Sequence, residues 1–190
     1  MVVSPVQMLD SIWICSGVQP SGTAGVLDAR QMSIVPIAAF AANGQTGKLR
    51  SALADGLDAG LTVSEVKEVL IQMYAYTGFP RSLTALETFR TLVGEREAQG
   101  IRDVAGREPT PLPPGTDIRQ YGTAIQPKLV GRPVTGPVYA FAPATDTFLK
   151  EHLFGDIFAR DVLDFRQREL ATVSALAALP AEAQLRSHLK

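Results

Sequence analysis

Thiols, imidazoles and charge are all scarce in this chain of 190 residues. The single cysteine, Cys15, cannot close an internal disulfide, which suits a reducing compartment. Within Ser11-Ile12-Trp13-Ile14-Cys15 it reads as a packed residue, with a reactive thiol as the alternative. Two histidines, His152 and His188, and no clustered acidic spacing leave no zinc site. No phosphate-cradling loop or dinucleotide fingerprint occurs; Gly44-Gln45-Thr46-Gly47-Lys48 has the wrong spacing. No serine-triad signature is present either, so no metal and no cofactor are expected. A net charge of −1 and a pI near 6.1 provide no basic field for nucleic acid or an anionic membrane. No apolar run approaches the roughly 20 residues of a membrane span. The first residues lack the charged start and apolar stretch of a signal peptide, and the expectation is a cytoplasmic protein. Strand-like alternation is also missing, which makes the expected fold class all-α.

What the chain does have is apolar mass and a repeat. Hydrophobic residues make up 46% against 19% charged, enough to close a core. Residues 27–53 align without a gap on residues 163–189, with 11 of 27 positions identical. Both segments open Leu-Asp-x-Arg-Gln and close Leu-Arg-Ser-x-Leu. One repeat rarely buries its apolar face without a neighbour, so the pattern suggests a duplicated helical unit. The second copy stops at Lys190, inside the helix that matches the one starting near Lys48.

Four segments follow. Residues 1–26, with Pro5, Pro20 and Gly/Ser pairs, read as an N-terminal arm whose Ile12-Trp13-Ile14 docks on the body or on a second subunit. Residues 27–99 form the first unit. Asp28 caps a helix with Met32, Val35, Ala39 and Ala42 at helical spacing; Pro36 should bend it and Asn43-Gly44 stop it. Leu49, Leu53, Gly56 and Leu57 share one side of a second helix. Thr62-Val63-Ser64-Glu65 is a capping box, and the helix behind it runs to Thr77, where Gly78 ends it. Pro80 opens another, with Leu83, Leu86, Phe89 and Val93 as its core stripe. Residues 100–145, with eight of the 13 prolines, read as a connector of extended or irregular backbone wrapped over a surface. Residues 146–190 start the second unit.

Helix 63–77 carries the candidate chemistry. Val66, Val69, Leu70 and Met73 are spaced for burial, while Glu65, Glu68, Gln72 and Tyr76 line up on a second face. That line reads either as a solvated face or as the lining of a cleft at the corner Gly78-Phe79-Pro80. A Glu held beside apolar neighbours could exchange protons near neutral pH. His188 stands opposite Ala52 in the repeat and reads either as a packed or surface residue or as an acid–base group found in one copy alone. His152 reads as an ordinary boundary residue.

The string Gly60-Leu61-Thr62-Val63-Ser64-Glu65-Val66-Lys67-Glu68-Val69-Leu70-Ile71-Gln72-Met73-Tyr74-Ala75-Tyr76-Thr77-Gly78-Phe79-Pro80 resembles the signature of the carboxymuconolactone decarboxylase family. Glu151-His152-Leu153-Phe154-Gly155-Asp156, Arg168-Glu169-Leu170 and Leu185-Arg186-Ser187-His188 look like further segments of it. The resemblance implies an all-α, alkylhydroperoxidase D-like bundle with a duplicated unit, the second copy truncated. It implies assembly as a trimer or hexamer, with sites lined by helices near subunit contacts. The peroxidase branch uses Cys-x-x-Cys with a His four residues on; this chain has Phe79, Ser82 and Leu86 there, which disfavours thiol peroxidase activity unless Cys15 is the reactive thiol. The decarboxylase branch carries a Glu, a His four residues later and the Tyr-x-Gly-x-Pro corner. Glu68 and Tyr76-Thr77-Gly78-Phe79-Pro80 match, whereas Gln72 replaces the His and cannot shuttle a proton. His188 matches a His that relatives carry in the neighbouring helix.

The implied function is cofactor-independent decarboxylase or lyase-type acid–base chemistry on a small carboxylated or lactone-like molecule. Glu68, His188, Gln72 and Tyr76 are the catalytic candidates; Arg81, Gly78 and Pro80 are the substrate-binding ones. The alternative is a non-catalytic oligomeric scaffold or small-ligand binder of the same fold.

Overall fold

The computed structural model of the chain describes residues 27–131 and 134–189. The arm read over residues 1–26, including Ile12-Trp13-Ile14 and Cys15, lies outside the described residues, as does Lys190. Among the described residues every regular element is helical and no strand occurs, so the fold is all-α. None of these helices is long and apolar enough to cross a membrane. Two compact units are present, one joining residues 27–108 to 162–189 and the other holding 109–161.

In the first unit, helix α1 spans Ala29–Asn43. The Asp28 carboxylate accepts from the Gln31 backbone N–H at 2.8 Å, and the Gln31 side chain accepts from the Asp28 N–H at 3.2 Å. Two end groups that a helix start leaves orphaned are thereby satisfied. Gly44 ends α1 at φ 76°, a left-handed conformation that costs glycine little. The buried face is Ile34, Ile37, Ala38, Ala41 and Ala42. It differs from the stripe read from sequence, since Met32 is 42% exposed and Val35 and Ala39 are only partly covered. Pro36 sits inside an otherwise continuous helix.

Helix α2, Thr46–Asp58, buries Leu49, Ala52, Leu53, Gly56 and Leu57, matching its expected side. A Cβ on Gly56 would lie 2.9 Å from Ile37 Cδ1, so the glycine is what lets α1 and α2 approach closely. Helix α3, Val63–Ala98, starts at the Thr62–Glu65 capping box and is broken at Gly78, where φ 75° and ψ 166° separate two arms. The Ser82 hydroxyl donates to the Leu70 carbonyl across the break at 2.8 Å. In the second arm Ser82, Ala85, Phe89 and Leu92 are buried, whereas Leu83 is 59% exposed. Of the stripe read from sequence, Phe89 is buried and Leu86 and Val93 pack partly buried against the core, so only Leu83 faces outward.

Helices α7 (Phe165–Ala178) and α8 (Glu182–His188) complete this unit; the intervening labels belong to the second. The start of α7 repeats that of α1: Asp164 accepts from the Gln167 N–H at 2.8 Å, and Gln167 accepts in return at 2.9 Å. Helix α7 lies against α1 and the first arm of α3. Leu163, Leu170, Ala171 and Ala175 share one hydrophobic core with Ile34, Leu53 and Val69.

The second unit holds α4 (Ile118–Val130), α5 (Pro137–Phe141), α6 (Pro143–Thr147) and a π-helical segment, Phe148–Ile157. Residues 118–130 are thus helical where the proline content suggested irregular backbone. Asp117 caps α4, while Pro127 lies in its last turns and Pro137 and Pro143 open the short helices that follow. The π segment packs on α4 at paired glycines: a Cβ on Gly122 would sit 1.7 Å from the Lys150 carbonyl oxygen. His152 Nδ1 pairs with Asp156 at 2.9 Å within that segment.

Candidate functional site

The first arm of α3 is buried on both faces. Val66, Val69, Leu70 and Met73 have no exposed surface, as their spacing required. The polar line opposite them is also covered: Glu65 is 8% exposed, Glu68 2% and Gln72 0%. It is therefore not a solvated face. Helix α7 covers Glu68 and Gln72 and one turn of it supplies the polar partners that their burial demands, while Glu65 pairs with Arg30 of α1 and with Thr62.

Arg168 is the largest fully buried side chain among the described residues. Its Nη2 donates to Glu68 Oε2 at 3.1 Å and its Nη1 to Gln72 Oε1 at 3.1 Å. Glu68 thus faces a guanidinium, not the apolar wall envisaged from the sequence. The Gln72 amide works from both ends. Its oxygen accepts from Arg168, and its Nε2 donates to the Arg168 carbonyl and to Thr172 Oγ1, each at 2.9 Å. A neutral imidazole offers one acceptor but a single N–H, whereas the amide supplies the two N–H donors used here, which gives Gln a physical reason to occupy this position beside Arg168.

The network then runs outward. Thr172 is fully buried, and its hydroxyl lies 3.0 Å from the Arg168 carbonyl and 3.0 Å from the Tyr76 hydroxyl. With one proton on each hydroxyl, two arrangements satisfy it. Either Tyr76 donates to Thr172 and Thr172 to the carbonyl, or Thr172 donates to Tyr76 and the phenolic proton points outward. The Gln72 amide bonds the carbonyl in both cases. Burial pushes the Tyr76 phenol well above its ordinary value, opposed by the Thr172 hydrogen bond, with the Glu169 carboxylate acting in the same direction as burial. Tyr76 consequently stays a neutral hydrogen-bonding group throughout the physiological range.

Beside Tyr76 lies a second polar pair. His188 Nδ1 sits 2.8 Å from Glu169 Oε2, with 27% of the imidazole and 11% of the carboxylate side chain exposed. His188 meets Glu169, and none of its hydrogen bonds reaches Glu68 or Gln72. The remaining sequence candidates take other places. Gly78 forms the break in α3, Pro80 opens its second arm, and Tyr74 stacks on Phe79 with ring centroids 4.0 Å apart. Arg81 donates to the Ala42 carbonyl near the end of α1. A shallow open groove on the second arm is lined by Arg50, Leu83, Thr84, Glu87, Thr88 and Thr91, and none of the sequence candidates lines it.

Arg168, Glu169 and Thr172 were missed as site residues. Their signal lay in the aligned segments, where they stand opposite Met32, Ser33 and Pro36, just as His188 stands opposite Ala52.

Residues 19–91 match the model of the Carboxymuconolactone decarboxylase family. No curated protein matches the chain.

Proposed function

We propose, with the carboxymuconolactone decarboxylase family domain over residues 19–91 as premise, that this protein performs decarboxylase or lyase-type acid–base chemistry on a small carboxylated or lactone-like molecule. The supporting observation is the Glu68–Arg168–Gln72–Thr172 network, closed to solvent and ending in the neutral Tyr76 phenol. In a decarboxylation the bond to the carboxylate breaks, carbon dioxide leaves, and the electron pair moves toward an adjacent carbonyl oxygen. That oxygen needs a preorganised donor and the carbon needs a proton. Tyr76 donates to the oxygen in the arrangement where Thr172 donates to Tyr76. His188 delivers the proton. Gln72 and Glu68, covered on all sides, act as positioning residues that hold Thr172 and Arg168. Gly78 and Pro80 shape the corner beside Tyr76. Arg81 holds the Ala42 carbonyl through Nη1 and keeps its other N–H donors for a substrate carboxylate.

In this reading residues 163–189 open a second unit like the first, and the protein assembles as a homo-oligomer, a trimer or hexamer. Phe79 and Leu83, each 59% exposed on α3, are the apolar surface that would favour assembly. The scaffold or ligand-binding alternative draws support from the engagement of both Gln72 amide protons, which leaves it no donor for a substrate. Thiol peroxidase chemistry is disfavoured by Phe79, Ser82 and Leu86.

The test is turnover of muconolactones and related small acids by the full chain, followed as loss of substrate and release of carbon dioxide. The expected result is turnover that falls by about 10²-fold in Tyr76→Phe, the scale of one lost oxyanion donor, with the fold retained. Ligand binding without turnover would favour the scaffold reading.

A further inference from the structure

We propose that Glu169 and His188 form the proton-handling pair of this site, with Glu169 as the positioning residue and His188 Nε2 as the atom that exchanges a proton with the substrate carbon. The inference rests on the reading of the site given above and carries it to the level of atoms. Three observations support it.

The polar network sorts by access. Arg168, Gln72 and Thr172 have no exposed surface and Glu68 has 2%, so none of them can touch a substrate without the core opening. Tyr76 and His188 are only partly covered. The reacting groups must come from this rim.

Hydrogen-bond chemistry then fixes the imidazole. A carboxylate only accepts, so the 2.8 Å contact between Glu169 Oε2 and His188 Nδ1 requires the proton on Nδ1. In the neutral ring Nε2 therefore carries the lone pair, and Nε2 is the nitrogen left for solvent or ligand. An orienting carboxylate of this kind sets tautomer and ring direction in acid–base histidines generally. In the reaction, Nε2 of the imidazolium gives its proton to the carbon as carbon dioxide departs, and recovers one from water.

The pair also sits where the reaction needs it. Glu169 is next in sequence to Arg168 and one turn before Thr172 on α7, and its charge reaches the Tyr76 hydroxyl. The oxygen-stabilising phenol and the proton donor consequently flank the same edge of α7. Both members of the pair belong to segment 163–189; the aligned Ser33 and Ala52 of segment 27–53 offer neither a carboxylate nor an imidazole.

The experiment is long-range ¹⁵N–¹H correlation spectroscopy of the two histidine rings in the full chain, on the basic side of their titration. The expected result is a protonated Nδ1 and unprotonated Nε2 for His188, lost in Glu169→Ala while the His152 signals stay unchanged. A protonated Nε2 in the unmodified protein, or the same tautomer in Glu169→Ala, would overturn the proposal. This readout needs no substrate, so it stands even if no small acid is turned over, an outcome that would sink the proposed chemistry alone. Where a small acid is turned over, Glu169→Ala and His188→Gln should each lower kcat, the latter by about 10²–10⁴-fold, with KM little changed. Unchanged kcat in His188→Gln would remove it from the reaction.

Discussion

Helices α1 and α7 begin with the same cap, an Asp whose carboxylate holds the backbone N–H three residues on and a Gln that returns the bond. Each is followed by a helix starting at the corresponding position, Thr46 after α1 and Glu182 after α7. Beyond the caps they bury different chemistry. Helix α1 buries Ile34, Ile37 and three alanines, while α7 buries Arg168, Glu169, Thr172 and Ser174 along with its aliphatic residues. The position that holds Arg168 in α7 holds an exposed methionine, Met32, in α1. Shared cap and helix signals therefore set the frame, and a few side chains decide whether a helix closes a core or lines a site.

The most disruptive way to break this contrast is to give α7 the residue of α1. Arg168→Met leaves the Glu68 charge buried without its guanidinium, and the expected loss in chemical denaturation is about 3–5 kcal/mol. The reciprocal Met32→Arg places charge on a surface position and should stay within about 0.5 kcal/mol. Comparable losses from the two changes would mean that the helices are not differentiated in this way. A smaller effect sharpens the shared half of the comparison. Asp28→Ala and Asp164→Ala should each cost about 1 kcal/mol, nearly equally, because the cap geometries coincide.

Local signals carried the frame of the fold. Asp28, the Thr62–Glu65 box and the Gly78 break were readable because each acts through neighbours within four residues. Burial phase was less so. Leu83 and Met32 are apolar at helical spacing, yet they face outward, since spacing identifies a face without saying what covers it. The same limit applied to the polar line of α3. Glu68, Gln72 and Tyr76 were recognisable as a line, but their partners Arg168 and Thr172 come from about a hundred residues away, and only tertiary packing turns that line into an interior seam. Helix α4 was hidden for a related reason. Prolines cluster around it, and the Asp117 cap that starts it was not recognised in the sequence.

The seam between α3 and α7 is the element on which the proposed site depends, and a double-mutant cycle tests it most directly. Glu68→Leu, Arg168→Met and the double variant would be compared in chemical denaturation. The expected result is two costly single changes and a double variant far more stable than their sum, because removing both charges leaves no uncompensated ion, with coupling of at least about 2 kcal/mol. Losses that add to within about 0.5 kcal/mol would show that Glu68 and Arg168 do not meet in the core, and would contradict the account.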